Sequence, residues 1–317
     1  MMHRRGESGN MIDGNGGNRD SCPVCTARQI VPFLSVAAHS LVRCLGCGVV
    51  FLNPLPTEDV SHAFTAEHYN PERVTRQFLG REAEKREEFG RRLSWIDAFG
   101  PPTREILDVG CGPGFFLDEA RKRGWDACGS EISPASVAHA RTHLGLQVSD
   151  TPIQHMPFPE ATFGAITFWD SLEHFRDPLG VLRAVERMLV PGGVLAVVTP
   201  NVSSLIARLC GPNWGWLKPP DHLFLFDPGS LAKILALAGF QLLEMTSKGG
   251  DATHLYQVIV RLGAPLGIPA SFFMHPVLRR PSHFSCQVIH AAAAPARYLL
   301  GRALMGPLIY AVARRTT

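Results

Sequence analysis

The sequence predicts an α/β protein, a mainly parallel and doubly wound sheet with a small cysteine-paired module ahead of it. Three observations predict this. From residue 105 onward, short apolar runs alternate with helical patterns at short spacing, the way strand–helix units build a parallel sheet covered on both faces. The turn after the first of those runs reads DVGCGPG at residues 108–114, where glycines remove side chains and permit positive φ, so that backbone can approach a ligand. Two CxxC pairs fall within the first 47 residues and mark off a separate module.

Taken in chain order, residues 1–20 are rich in Gly and Asn and lack an apolar run, so they are expected to form a disordered tail that cannot offset its ordering entropy. Residues 21–56 hold both cysteine pairs. A helical connecting region follows at 57–102, in which 76–97 reads as one helix with Phe78, Leu79, Phe89, Leu93 and Ile96 near helical spacing. The remaining 103–317 form the main domain. Strands are expected at 105–109, 127–132, 146–149, 163–169, 194–199, 240–245 and 308–313, and a helical insertion at about 250–305. Ser133-Pro134, Asp177-Pro178 and Asp227-Pro228 each pair a capping side chain with a first-turn proline, and so start helices.

Composition sets limits. With 31 basic against 28 acidic residues, the charge is too balanced to suggest a nucleic-acid partner. No apolar stretch precedes Ile30, so no secretory signal is read and a cytoplasmic location is expected. Residues 288–313 are apolar but broken by Pro295, Arg297 and Arg302, short of the ~20 residues a transmembrane helix needs. Weak contact with a membrane surface is the most this C-terminal region suggests.

Cys22, Cys25, Cys44 and Cys47 form two CxxC pairs, with Gly48 after the second. Four thiolates at such spacings can close a tetrahedral site, and with no position left open the zinc would be structural. The segment carries too few cations to track a phosphate backbone.

In open parallel sheets ligands bind beyond the carboxyl ends of the strands, which directs attention to the 108–114 turn. A dinucleotide site would want a third glycine where Phe115 stands. Glu131 ends the second strand, where a carboxylate can accept from both hydroxyls of a ribose, and Asp150 follows the third, where an adenine amino group would need an acceptor. These features together favour an adenosine ligand.

ILDVGCGPG, Glu131, FGAITFWDSLEHFRDP and LVPGGVLAVVTPN resemble the successive motifs of class I S-adenosylmethionine-dependent methyltransferases, over about residues 104–246. The resemblance implies a Rossmann-like seven-stranded sheet with its last strand antiparallel. It also implies that Asp108, Gly110, Cys111, Gly112 and Gly114 line the methionine and ribose, that Glu131 takes the ribose diol with Ile132 beside it, that Asp150 faces the adenine, and that Trp169 adjoins the cofactor. Phe163-Gly164 departs from the Phe-Asp of many relatives. The cysteine segment resembles the zinc module of sugar and glycan-cluster methyltransferases.

Methyl transfer from a sulfonium is an in-line displacement, so the protein aligns the acceptor and removes any proton it carries. Asp170, Glu173 and His174 follow the fourth strand, where a base and its orienting acid could sit together; Glu173 and His174 also fit a plain role of capping the next helix and holding the loop, and the segment fits a divalent cation of the kind that a similar one holds in quinone-biosynthesis O-methyltransferases. His222, in the long aromatic-rich loop 200–227, is the leading general-base candidate. The expected acceptor is a small or lipid-linked molecule, a sugar or glycan precursor ahead of a quinone or phenol, with a non-catalytic scaffold subunit as the reading of another class.

Overall fold

The computed structural model describes residues 18–156, 158–248 and 303–316. The tail expected over 1–20, and the insertion and surface-contact segment expected between about 250 and 305, lie almost wholly outside them.

The chain opens as an antiparallel meander of β1 (Ile30–Val36), β2 (His39–Cys44) and β3 (Val50–Leu52). Three helices follow, α1 (Glu58–His68), α2 (Pro71–Gln77) and α3 (Glu82–Asp97). The single helix expected over 76–97 is therefore interrupted, by a 3₁₀ turn at Leu79–Arg81. Its central residue, Gly80, is a poor helix former.

From there the strand–helix alternation runs as read from the sequence. Its elements are β4 (Glu105–Val109), α4 (Phe115–Lys122), β5 (Asp126–Ser130), α5 (Pro134–Thr142), β6 (Gln147–Ser149), β7 (Phe163–Trp169), α6 (Pro178–Met188) and β8 (Leu189–Pro200). After β8 come α7 (Leu205–Cys210), β9 (Phe224–Leu225), α8 (Pro228–Leu237), β10 (Phe240–Lys248) and β11 (Leu308–Arg315). All three expected caps form: the side chains of Ser133, Asp177 and Asp227 accept from the amides of Ser136, Gly180 and Ser230 at 3.3, 2.9 and 2.8 Å.

The seven-stranded sheet has the order β10-β11-β8-β7-β4-β5-β6, with β4 to β8 parallel and β11 antiparallel to both β8 and β10. This is the Rossmann-like arrangement. The chain builds outward from β4 through β5 and β6, then returns to lay β7 on the other side of β4, so the strand order reverses there. The crevice beyond the carboxyl ends of β4 and β7 is where such a fold binds ligands.

Two apolar clusters hold the layers. One packs Leu93, Phe116, Leu117 and Val137 of α3, α4 and α5 on one face. The other packs Val181, Leu182, Leu231 and Ile234 of α6 and α8 on the opposite face and continues without a gap to Phe51, Val50 and Cys44. The link is β9, which pairs antiparallel with β3 through Val50–Leu225 and Phe51–Phe224. Phe51 and Phe224 are fully buried with ring centroids 6.1 Å apart, each contributing roughly 2–3 kcal/mol of burial. The loop that follows β8 is thus clamped to the cysteine module rather than lying free. Among the described residues no helix is long and apolar enough to cross a membrane.

Candidate active site

The turn between β4 and α4 is tied to β5 by the amides of Gly110 and Cys111, both of which donate to the Ser130 carbonyl at 2.8 and 3.0 Å. Gly110 has φ 78°, and a Cβ there would stand 2.7 Å from the Ser171 Cβ, so glycine is required for both conformation and space. Beyond the turn opens a cavity of about 840 Å³, toward the upper end of the ~300–1,000 Å³ typical of ligand pockets. It has room for a cofactor and a small acceptor together.

Asp108, Gly110, Cys111, Gly112, Glu131, Ile132 and Trp169 line this cavity. Gly114 and Asp150 do not. Gly114 packs inward, where a Cβ would meet Leu146 at 2.6 Å. Asp150 is exposed and paired with Arg141 at 3.3 Å, because β6 ends at Ser149 and the chain turns outward; Thr151–His155 form the wall at that end. Glu131 is fixed from behind by the amides of Gly112 and Ser133, at 2.8 and 2.7 Å, one on each oxygen. Burial raises its carboxyl above the usual range. Asp108 is buried against Thr167, whose hydroxyl donates at 2.7 Å, and desolvation pushes it up to about 7.

A residue the sequence did not single out completes this end. Arg92 of α3 is buried, with its guanidinium 4.8, 5.4 and 5.7 Å from the Trp169, Phe89 and Tyr310 rings and bonded to Glu88. Its Nε has no partner, and neither does Oδ1 of Asp170, whose other oxygen lies 3.8 Å from the guanidinium. Asp170 is held at φ 55° by its amide, which donates to the Val198 carbonyl at 2.8 Å. Buried donors and acceptors are normally satisfied. An orphaned cation donor and an orphaned carboxylate oxygen beside a glycine cradle match the carboxylate and ammonium of an amino-acid group. The methionine end of S-adenosylmethionine fits that pair, as its adenosine fits the turn and Glu131.

At the other end the structure brings together Glu173, His174 and His222. Helix α6 is capped by Asp177, so neither Glu173 nor His174 serves as that cap. His174 Nδ1 lies 2.8 Å from the Asp221 carbonyl and 3.0 Å from its carboxylate, and this acid raises the imidazole to about 9 against the opposing effect of burial. The His222 ring stands edge-on to His174 at 4.8 Å and is stacked 6.0 Å from Trp216. It is hydrogen-bonded to the Trp216 backbone, and its Nδ1 has no partner. Burial, with the His174 charge beside it, holds His222 well below the usual imidazole range. Glu173 is fully buried, accepts from the Thr199 hydroxyl at 2.9 Å and is pushed up to about 7 by desolvation, with its second oxygen unpartnered. Glu173, His174 and His222 each place a ligand atom within 4.8 Å of the others. Asp170 stands apart from them, beside Arg92.

Asp221 and Tyr69 are further residues without an expected role. The Tyr69 phenol donates to Asp221 at 3.2 Å, and its carbonyl accepts from the Ser133 hydroxyl at 3.0 Å. Tyr69 thus joins the histidine pair to the strand end that carries Glu131. An aromatic just before an Asn-Pro helix start was the only sequence signal for it.

In the cysteine module the Sγ atoms of Cys22, Cys25, Cys44 and Cys47 lie within 4.8 Å of one another, with Cys22–Cys47 at 3.6 Å and Cys25–Cys44 at 3.5 Å. A tetrahedral zinc with ~2.3 Å bonds would set its sulfurs about 3.8 Å apart. The amides of Val24 and Cys47 point at Cys22 and Cys44 Sγ from 3.4 and 3.5 Å, as suits thiolate acceptors. The donor set fits zinc.

Comparison with known proteins identifies the domain that carries this site. The family described as methyltransferase domain matches residues 68–245. The ubiquinone biosynthesis O-methyltransferase of Acinetobacter baumannii (strain AYE) is 25% identical over 201 residues, 59% of this chain and 83% of that protein. The protein of the same name from Paracidovorax citrulli is 29% identical over 168 residues, 48% of this chain and 70% of that one. Among solved structures, the complex of the Haloferax volcanii Trm112 methyltransferase activator with a methyltransferase aligns with a TM-score of 0.52 and 15% identity, covering 80% of this chain and 98% of that one.

Proposed function

The chain belongs to the methyltransferase-domain family and is an S-adenosylmethionine-dependent methyltransferase, and from that premise we propose that it methylates the oxygen of a small phenolic acceptor of the quinone-precursor kind. The observation that carries the reading is the His174–His222 pair, a protonated imidazole and a neutral one facing the same cavity as the glycine turn. The neutral imidazole can take the proton that an acceptor hydroxyl must lose, and the protonated one can offset the charge that then develops. The relatives named ubiquinone biosynthesis O-methyltransferase favour a phenol over the sugar or glycan precursor suggested by the cysteine module.

S-adenosylmethionine, when bound, supplies an electrophilic methyl group. Glu131 accepts from the ribose hydroxyls, its carboxylate already oriented by two backbone amides. Arg92 holds the methionine carboxylate and Asp170 the ammonium. At the acceptor end, the neutral His222 takes the phenolic proton on Nδ1, while the His174 imidazolium, held by Asp221, stabilises the oxygen as it gains negative charge. The four cysteines hold a structural zinc, which braces β3 and through it the loop that carries Trp216, Asp221 and His222.

The unpartnered atoms of Glu173 and His222 support a second use of the cluster, as ligands of a divalent cation that would polarise the acceptor oxygen instead. Assay of chelator-treated protein with and without added Mg²⁺ separates the two; a rate that depends on the added ion favours the cation.

A panel of catechols and sugar nucleotides, offered with S-adenosylmethionine, tests the main reading. Turnover of catechols is expected. Turnover of sugar nucleotides alone would overturn the phenolic acceptor.

A further inference from the structure

Arg176 has no place in the chemistry above, yet it lines the same cavity, two residues beyond His174. Its Nη1 is buried and without a hydrogen-bond partner. Two of the carboxylates at this end are engaged elsewhere: Asp177 caps α6 through the Gly180 amide at 2.9 Å, and Asp221 is shared by His174 and Tyr69. Glu58 also lines the cavity and its charge attracts Arg176, while the Arg19 guanidinium opposes it. Lys218 also lines this end, its ammonium 4.8 Å from the centre of the Trp216 ring. The acceptor end therefore carries two cations, Arg176 two residues after His174 and Lys218 four residues before His222, beside the aromatic rings of Phe175 and Trp216.

Arg176 is half-buried, and its buried N–H left unpaired is costly unless a partner arrives. Its planar fork matches a carboxylate better than any neutral group. We propose that Arg176 anchors an acidic substituent of the acceptor, so that the preferred acceptor is a hydroxylated aromatic acid, with its carboxylate at Arg176 and its hydroxyl at His222. Lys218 adds to the field from the Trp216 side. This rests on the phenolic reading of the site, and it makes Arg176 a specificity-determining residue.

The test titrates 3,4-dihydroxybenzoate and its uncharged isostere 3,4-dihydroxybenzamide into the full chain saturated with S-adenosylhomocysteine, so that binding is read apart from turnover. The acid is expected to bind at least tenfold tighter than the amide. Arg176→Gln should bring the two within about twofold, and Arg176→Lys should retain part of the preference, with thermal melting checking that both variants fold. Equal affinity of acid and amide for the unaltered protein, no binding of either, or a preference unchanged in Arg176→Gln would overturn the proposal. If the acid binds through Arg176 but neither compound is methylated, the anchor stands and the phenolic-acceptor reading fails.

Discussion

His174 Nδ1 lies 3.0 Å from the Asp221 carboxylate, across 47 residues of sequence. The pairing makes one histidine of the site a cation near neutral pH while its neighbour, His222, remains neutral. A base and an electrostatic stabiliser are thereby placed side by side without competing for one proton.

Replacing Asp221 by Asn keeps the shape and removes the charge. The His174 titration, followed by NMR, is expected to fall from about 9 toward its ordinary range, and kcat to drop about 10²-fold, the lower end of what a positioned acid–base group contributes. An unchanged His174 titration would mean that the carboxylate does not set its charge.

The same pairing fixes a pH dependence. His174 is raised from its ordinary 6.5 to about 9 in the folded protein. Its contribution to stability is fully present below 6.5 and is lost as pH rises through about 9. The rate should decline over the same alkaline range, as the imidazolium is lost, and Asp221→Asn should move that limb to lower pH. Thermal melts and rate profiles between pH 6 and 10 check both.

Removing the base itself should act on chemistry alone. His222→Ala is expected to lower kcat by ~10²–10⁴-fold with S-adenosylmethionine affinity changed less than about twofold. A large loss of cofactor affinity would place His222 at the donor rather than the acceptor.

At the donor end, Arg92→Met removes the guanidinium while keeping much of its apolar bulk. Loss of a charge-assisted contact worth roughly 1.5–3 kcal/mol should weaken cofactor binding about 10–150-fold, as read by calorimetry. Full affinity in the variant would take the methionine carboxylate away from Arg92.

Zinc should be recovered in the purified protein and lost in Cys44→Ser, together with protease protection of the segment around Phe224. A zinc-free protein with that segment still protected would leave the cysteines as ordinary packing.

What the sequence made legible follows from how local each demand is. The glycine turn, the CxxC pairs and the three proline-started helices state their conformations within a few residues, and they appear where expected. What the acid after β6 faces is not legible locally, because Asp150 lies one residue beyond the strand end, where the direction of the chain, not the residue type, decides it. Arg92 sits in a run of charges, EAEKREEFGRRLSWID, and nothing local marks it as the member that turns inward between Trp169 and Tyr310. Asp221 and Tyr69 meet across 152 residues, a contact only the assembled fold creates. The elements within the loop 200–227 are not legible in the sequence, because α7 is six residues long and β9 two, and β9 depends on β3 to exist as a strand.

The most direct measurement is the position of the transferred methyl group. With carbon-13-labelled S-adenosylmethionine and a catechol acceptor, carbon NMR of the product should show an aryl methoxy signal that disappears in His222→Ala. A label attached to carbon or nitrogen, or full methoxy formation without His222, would contradict the account.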